Sequence, residues 1–440
     1  MSAASEPTIA VGLLEGKTRV RVILNQAFVD RAGDDWPAGT YEVQRRADTL
    51  EITGPRTASY ANSWQLVPGN ATFALTSRVG HQFHWAEDEL QQFAGGVRVE
   101  CDEAGLRVIN DVPLETYLAS VVCSEMAADC PLELIKAHSV ISRSWLLAQR
   151  AHADTARAPW QENVRGQRWY DQTAHAAFDV CAEDHCQRYH GLGRISTKTV
   201  REAIAQTRGE VLTYEGNICD ARYSKSCGGV VEDARAAWGD EPVPYLVSFF
   251  DGPQTQAPAH DLTTEEGFRL FLKRPPDAYC QCSDERVLNL ILPERDRRTT
   301  PDFYRWSARI SPAQIAHWLQ EKRHVDIGRP VALEPVERGA SGRLVSLRVV
   351  GTTGSMTLGK ELEIRRLLSD SHLLSSAFVV EPEGSAHAPD GFVLHGAGWG
   401  HGVGLCQIGA AVMAVGGHDH HAILQHYYPG TRCQRDYARG

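Results

Sequence analysis

The 440-residue chain contains no run of about 18 apolar residues, so nothing in it reads as a membrane-crossing helix. No charged and apolar leader with a small-residue cleavage site opens it, and no low-complexity tract interrupts it. An excess of basic charge is also missing. The 45 Lys and Arg are outnumbered by 55 Asp and Glu, for a net charge of −10, and the basic residues are dispersed. That balance argues against a nucleic-acid partner and against adhesion to acidic membranes. The 11 cysteines are an odd number, and Cys280 and Cys282 stand too close for an easy mutual bridge. Free thiols and metal ligation are therefore favoured over a disulfide framework. What remains is an ordinary globular composition, 42% apolar, enough for two or three domains or one elaborated core.

The patterning predicts an α+β fold. Residues 1–110 form a β-rich N-terminal region, in which IAVGLL, TRVRVILN, TYEVQRR, TLEITG, ATFALTS and GVRVE read as short strands between turns. Residues 111–250 start as a helical core and end in strands, mixed or antiparallel. Residues 251–385 read as an inserted α/β region, with PAQIAHWLQEKRH helical and GRLVSLRVVGTTGSMTL a hairpin. Residues 386–440 return to the core with a glycine-rich loop and helices.

One acid stands out. In LETYLASVVCSEMAADCP the apolar positions Leu114, Tyr117, Leu118, Val121 and Val122 recur at helical spacing, and the next step lands on Glu125. Burial and the negative end of the helix dipole both favour the protonated form of such a carboxyl, which predicts a proton donor usable near neutral pH. The competing reading is a solvated or ion-paired acid at a fraying helix end. Pro131 then opens a second amphipathic helix, PLELIKAHSVISRSWLLAQ. Its inner face carries His138 and Ser142, with Arg143 beside them, and each needs a partner if buried.

Three further segments carry chemistry. His175, Cys181, His185 and Cys186 group imidazoles and thiols of the kind zinc prefers, with His190 able to replace one of them. HGAGWGHGVG is too glycine-rich for a helix or a well-packed strand. It reads as a loop where backbone comes close either to a ligand, with Trp399 and His401 as contacts, or to the protein itself. In YSKSCGG, Tyr223, Ser224 and Ser226 follow a strand-like run and suit either ligand contact or an ordinary turn. His418, His420 and His421 read as a solvated linker and helix start rather than a second metal site.

The run LETYLASVVCSEMAADCPLELIKAHSVISRSW resembles the signature of the SpoIID/LytB (stage II sporulation protein D) family. The likeness continues in order through TRGEVLTYEGNICDARYSKSCGGVVED, AWGDEPVPYLVS and HGAGWGHGVGLCQIGAAVMAVGGHDHHAILQHYYPGT. It implies a lytic transglycosylase of peptidoglycan glycan strands, with Glu125 of the Glu125–Met126 pair as the catalytic acid. It also implies substrate contacts from His138, Arg143, Tyr223, Ser224, Ser226, Trp399, His401 and Gln407. A structural zinc on His175, Cys181, His185 and Cys186 is implied as well, as is a location in the cell envelope, where other cell-wall hydrolases are potential partners. Two positions depart from the pattern: Ala127 stands where proline is common and His138 where glutamine is usual.

A single acid fits this chemistry. Ordinary glycosidases use two carboxylates, and no second acid carries a comparable signal here. In a lytic transglycosylase the C6 hydroxyl of the same muramic acid attacks C1, an intramolecular step that replaces the second group. Two other classes stay open: a wall-binding or amidase-enhancing protein that does not cut, and a zinc amidase or peptidase, which would need an open metal site.

Overall fold

Alternating apolar residues build the N-terminal sheets. In strand β1 (Thr8–Lys17) Ile9, Val11 and Leu13 are buried, and in Arg19–Leu24 Val20, Val22 and Leu24 are. The computed structural model describes residues 5–46, 49–67, 69–79, 87–126, 130–151, 160–170, 175–194, 198–292, 294–385 and 387–437. Each of the six runs read as strands lies inside a strand or overhangs it by no more than one residue at either end. β1 pairs with Gly105–Pro113 in a five-stranded sheet, and Arg19–Leu24 pairs with Gly39–Arg46 in a six-stranded one. Tyr41 of the second sheet meets Trp64 of the first, ring centroids 5.7 Å apart, with Trp36 against both. Aromatic side chains thus join the two sheets.

Strand Gly105–Pro113 runs directly into helix α1 (Leu114–Glu125), and Pro113, which has no N–H to satisfy, takes the cap position. Leu114, Tyr117, Leu118, Val121 and Val122 are all buried, as the spacing predicts. Helix α2 (Leu132–Ala151) packs on α1, and α3 (Lys198–Gln206) packs on both. Pro131 sits just before α2 rather than in its first turn, and its carbonyl accepts the Ile135 N–H at 3.1 Å. One apolar cluster runs from Ile9 to Phe303 and resumes from Val403 to Tyr437, and a second one lies between Trp306 and Leu394. Among the described residues no helix is long and apolar enough to cross a membrane.

The segment between the core blocks contains the expected helix, Pro312–Arg323, and the expected hairpin, Leu344–Gly351 with Ser355–Leu358. Polar side chains fasten it to the core. Arg343, fully buried, donates to the carbonyls of Cys227 (3.1 Å) and Gly400 (3.3 Å), and Ser341 Oγ donates to Glu232 at 2.7 Å. The glycine-rich segment differs in part from its sequence reading. His395, Gly396 and Ala397 end the strand Ala388–Ala397, and only then does the chain turn into a loop. At Gly402 a Cβ would lie 2.3 Å from the Arg343 guanidinium, and at Gly404 2.0 Å from the Arg222 carbonyl. At these two positions the close approach that demands glycine is to the protein itself.

Candidate active site and metal-competent clusters

α1 ends at Glu125 because Met126 turns to extended backbone, while its N–H still reaches the Val122 carbonyl at 3.1 Å. The Glu125 carbonyl receives the Lys225 ammonium at 2.7 Å, a cation at the negative end of the helix dipole. The Glu125 carboxyl is half-buried. Its Oε1 accepts the Arg188 backbone N–H at 3.2 Å and the Tyr223 hydroxyl at 3.4 Å. The sequence predicts apolar surroundings here; the structure corrects this to a polar niche. The buried Arg188 guanidinium pairs with Asp184 at 2.5 Å, and Lys225 Nζ lies 3.8 Å from the buried Asp296 carboxylate. Burial pulls the Lys225 pKa down against the opposing charge of Asp296. Burial, with the charge of Glu125, holds the Tyr223 phenol well above its ordinary value, so Tyr223 keeps its proton and donates it in the hydrogen bond.

Behind Tyr223 stands His138, its ring edge-on to the phenol at 4.6 Å. Gln407 Nε2 faces His138 Nε2 at 3.0 Å and donates to it, which leaves the ring proton on Nδ1 for Ser142 Oγ at 3.1 Å. Burial, then the nearby Lys225 charge, lowers the His138 pKa to about 3, so the ring is neutral. The structure thus brings Glu125, Tyr223, His138 and Gln407 together, and Trp399 joins them through Lys225, whose Nζ lies 5.9 Å from its ring centroid.

The residues expected to contact substrate differ in burial. His138, Gln407, Ser226 and Ser224 are all buried. Ser226 exchanges backbone hydrogen bonds with Trp399, at 3.0 and 2.8 Å, which zips the two loops together. Arg143 is fully buried and forms a fork with Glu115, at 3.2 and 2.6 Å, so its guanidinium serves the helix pair. His401 accepts the Val403 N–H at 3.0 Å and packs on Trp238. Tyr223, Trp399 and His401 keep exposed surface. Ala127 lies outside the described residues. Sequence reasoning missed Lys225, Arg188 and Asp296. Lys225 stood between two residues already singled out, whereas Asp296 has no local signal.

The donor atoms of His175, Cys181, His185 and Cys186 all lie within 4.8 Å of one another. His175 Nε2 is 3.3 Å from Cys186 Sγ, and His185 Nδ1 is 3.5 Å from Cys186 Sγ and 3.8 Å from Cys181 Sγ. A tetrahedral zinc with sulfur and nitrogen ligands would need edges of about 3.6 Å, so the donor set fits. His190 is not in this group; its amide donates to Ser124 Oγ at 3.2 Å. The cluster is anchored to the sheet, because Cys181 pairs with Gly12 of β1 and the Phe178 ring, stacked on His175, lies where a Cβ of Gly12 would be. Arg188 follows two residues after Cys186, so the same loop reaches Glu125.

Two more groups of potential ligands occur among the described residues: Cys227, Asp251, Cys280 and Cys406, all buried, and Glu210, His420 and His421. His420 begins the helix His420–Tyr427, as expected. It is half-buried, however, between Glu133 at 3.0 Å and Glu210 at 3.6 Å, whereas His418 and His421 are exposed. A cavity of about 1090 Å³ is lined by Pro276, Gln281, Leu288, Tyr304 and Arg305, beside the segment that carries Cys280.

The structure therefore defines an α+β protein with a helix-end carboxyl held by hydroxyl and amide donors, its own backbone carbonyl held by an ammonium, beside groups able to take metal. The chain is similar to the SpoIID family: residues 102–214 match the Stage II sporulation protein family model, and residues 232–404 match a domain of unknown function, DUF8618. It is 25% identical over 415 residues to the amidase enhancer of Bacillus subtilis strain 168, covering 89% of this chain and 50% of that protein. The chain thus spans half the length of that relative. It is 24% identical over 325 residues to stage II sporulation protein D of the same strain (74% of this chain, 75% of that one) and 23% identical over 326 residues to the protein of that name from Bacillus amyloliquefaciens (73% and 74%).

Proposed function

We propose that the protein is a cell-envelope lytic transglycosylase, with Glu125 as acid and then base. The observation that carries this is a carboxyl ending a buried helix, half-exposed, and fixed by Tyr223 and the Arg188 amide on one oxygen. Glu125 gives its proton to the departing glycosidic oxygen as the C1–O bond breaks. Its carboxylate then takes the proton of the C6 hydroxyl as that oxygen bonds to C1, closing the 1,6-anhydro ring. The ring closure is intramolecular, so positioning of the sugar supplies what a second carboxylate gives elsewhere. Tyr223 orients the carboxyl, Lys225 fixes the backbone carbonyl of the same residue, and Trp399 offers a face on which a sugar ring can rest.

Zinc on His175, Cys181, His185 and Cys186 would fix the loop that carries Arg188, and no step of cleavage runs through it. Four protein ligands close the shell, which argues against a zinc amidase. A second reading is favoured by the similarity to an amidase enhancer: the same surface binds strands without cutting them. Incubating purified protein with glycan strands, bare and peptide-bearing, and identifying the ends by mass spectrometry separates these. Anhydro ends support transglycosylation; reducing ends, released peptides, or bound but uncut strands contradict it.

A further inference from the structure

We infer that Cys227, Cys280, Cys406 and Asp251 form a second, fully enclosed metal site, for zinc or a metal of similar thiolate preference, which locks together the two loops behind Glu125. The four residues come from separate stretches of chain and are almost wholly buried, at 3%, 0%, 0% and 0% exposure in that order. Their donor atoms lie within 4.8 Å of one another, with Cys227 Sγ 3.6 Å from Cys280 Sγ and 3.1 Å from Asp251 Oδ2. In a tetrahedral thiolate–carboxylate zinc site the edges would be about 3.5–3.8 Å.

The surroundings are those of ligands that carry charge. Backbone N–H groups point at sulfur: Gly229 to Cys227 at 3.4 Å, and Cys227 and Gly409 to Cys406 at 3.3 and 3.4 Å. Asp251 Oδ1 is taken by His426 Nε2 at 3.0 Å and the Tyr427 hydroxyl at 2.9 Å, which turns Oδ2 toward the thiols. Such outer partners orient metal-bound carboxylates. Room for Asp251 is made by Gly409, where a Cβ would fall 2.6 Å from Oδ2. A carboxyl buried among thiols is costly unless its charge is matched, and three ordinary core cysteines would need no such neighbour. A divalent ion matches it, and the excess negative charge then faces His426 and Arg305.

The site's position gives it a task. Cys227 follows Lys225, which holds the end of α1, and Cys406 precedes Gln407, which holds His138. Strand Tyr223–Ser224 pairs in parallel with Leu405–Cys406 between them. An ion bonded to both cysteines fixes the spacing of the two loops. This coupling rests on the role proposed for Glu125; the metal site itself does not.

Metal counting by native mass spectrometry tests the site without any glycan assay. Protein purified without added metal is expected to carry two zinc ions per chain, one for each of the two cysteine-containing clusters. Cys181→Ser should remove one and leave the other, and Cys280→Ser or Asp251→Asn should do the reverse. If Cys280→Ser does not fold, cobalt-loaded Cys181→Ser protein supplies the reading: an intense thiolate-to-cobalt band is expected, and bound cobalt without it overturns the site. Folded wild-type protein carrying no ion beyond the one lost in Cys181→Ser, or a Cys227–Cys280 disulfide in place of metal, also overturns it. Folded Cys280→Ser protein should lose about tenfold in cleavage through displaced Lys225 and Gln407. Metal loss with unchanged cleavage would contradict the coupling alone.

Discussion

Helix α1 carries an acid at each end, and the two are treated in opposite ways. Glu115, in the first turn, is buried and saturated: Arg143 engages both of its oxygens, and Oε1 also accepts the Gly209 N–H at 3.1 Å and the Tyr437 hydroxyl. Glu125, at the last turn, is half-exposed, and the Tyr223 hydroxyl and Arg188 amide both address one oxygen. A carboxylate with its acceptor sites occupied by a guanidinium fork has nothing left for a ligand. One held on one side and open on the other can exchange a proton with something that arrives. The difference between a structural and a functional acid lies in how far the partners fill it, and depth alone would have pointed to the wrong residue.

Substitutions can break or sharpen this contrast. The largest effect is expected for Glu125→Gln, which should slow glycan cleavage by about 10²–10⁴-fold and leave the thermal midpoint in place. Glu115→Ala should do the opposite. It strands a buried guanidinium and should cost about 3–5 kcal/mol in urea unfolding, while cleavage per folded molecule is retained. If either variant behaved like the other, the contrast would be void. Lys225→Met should lower kcat by about 10-fold or more through a loosened helix end, with little change in KM and a displaced pH profile. Lys225→Arg should restore part of the loss, and a purely structural Lys225 would leave the profile unmoved.

A further expectation concerns pH. Burial and then the Lys225 charge disfavour the charged form of His138 and push its pKa down from the ordinary 6.5 to about 3 in the folded chain. Between those values the unfolded chain binds the extra proton. This contribution to stability is therefore complete above pH 6.5 and is lost as pH falls toward 3. From pH 6.5 to 5 the loss should be about 2 kcal/mol. His138→Gln should flatten that slope in urea titrations; an unchanged slope would show that the ring is not held neutral.

The parts of the fold that were legible in the sequence were those written in short-range periodicity. The alternation of Ile9, Val11 and Leu13 and the helical spacing from Leu114 to Val122 both reappear as buried faces. The donors His175, Cys181, His185 and Cys186 were readable as a group because one short loop holds them all. Cys227, Asp251, Cys280 and Cys406 were not, since only the folded chain brings those stretches together. The polar lining of the Glu125 niche was hidden for the same reason: Lys225 and Asp296 reach it from distant segments. The burial of His138 followed from its place on the inner face of α2, with Arg143 read only as standing beside that face, and a sequence shows which residues are polar there and not which partner each one finds.

The most direct test compares the strand ends made by wild-type protein and by Glu125→Gln under identical conditions, with strand binding measured in parallel. The account predicts 1,6-anhydro ends from the wild type and none from the variant, which should bind strands as tightly as before. Anhydro ends in equal yield from both proteins would contradict it.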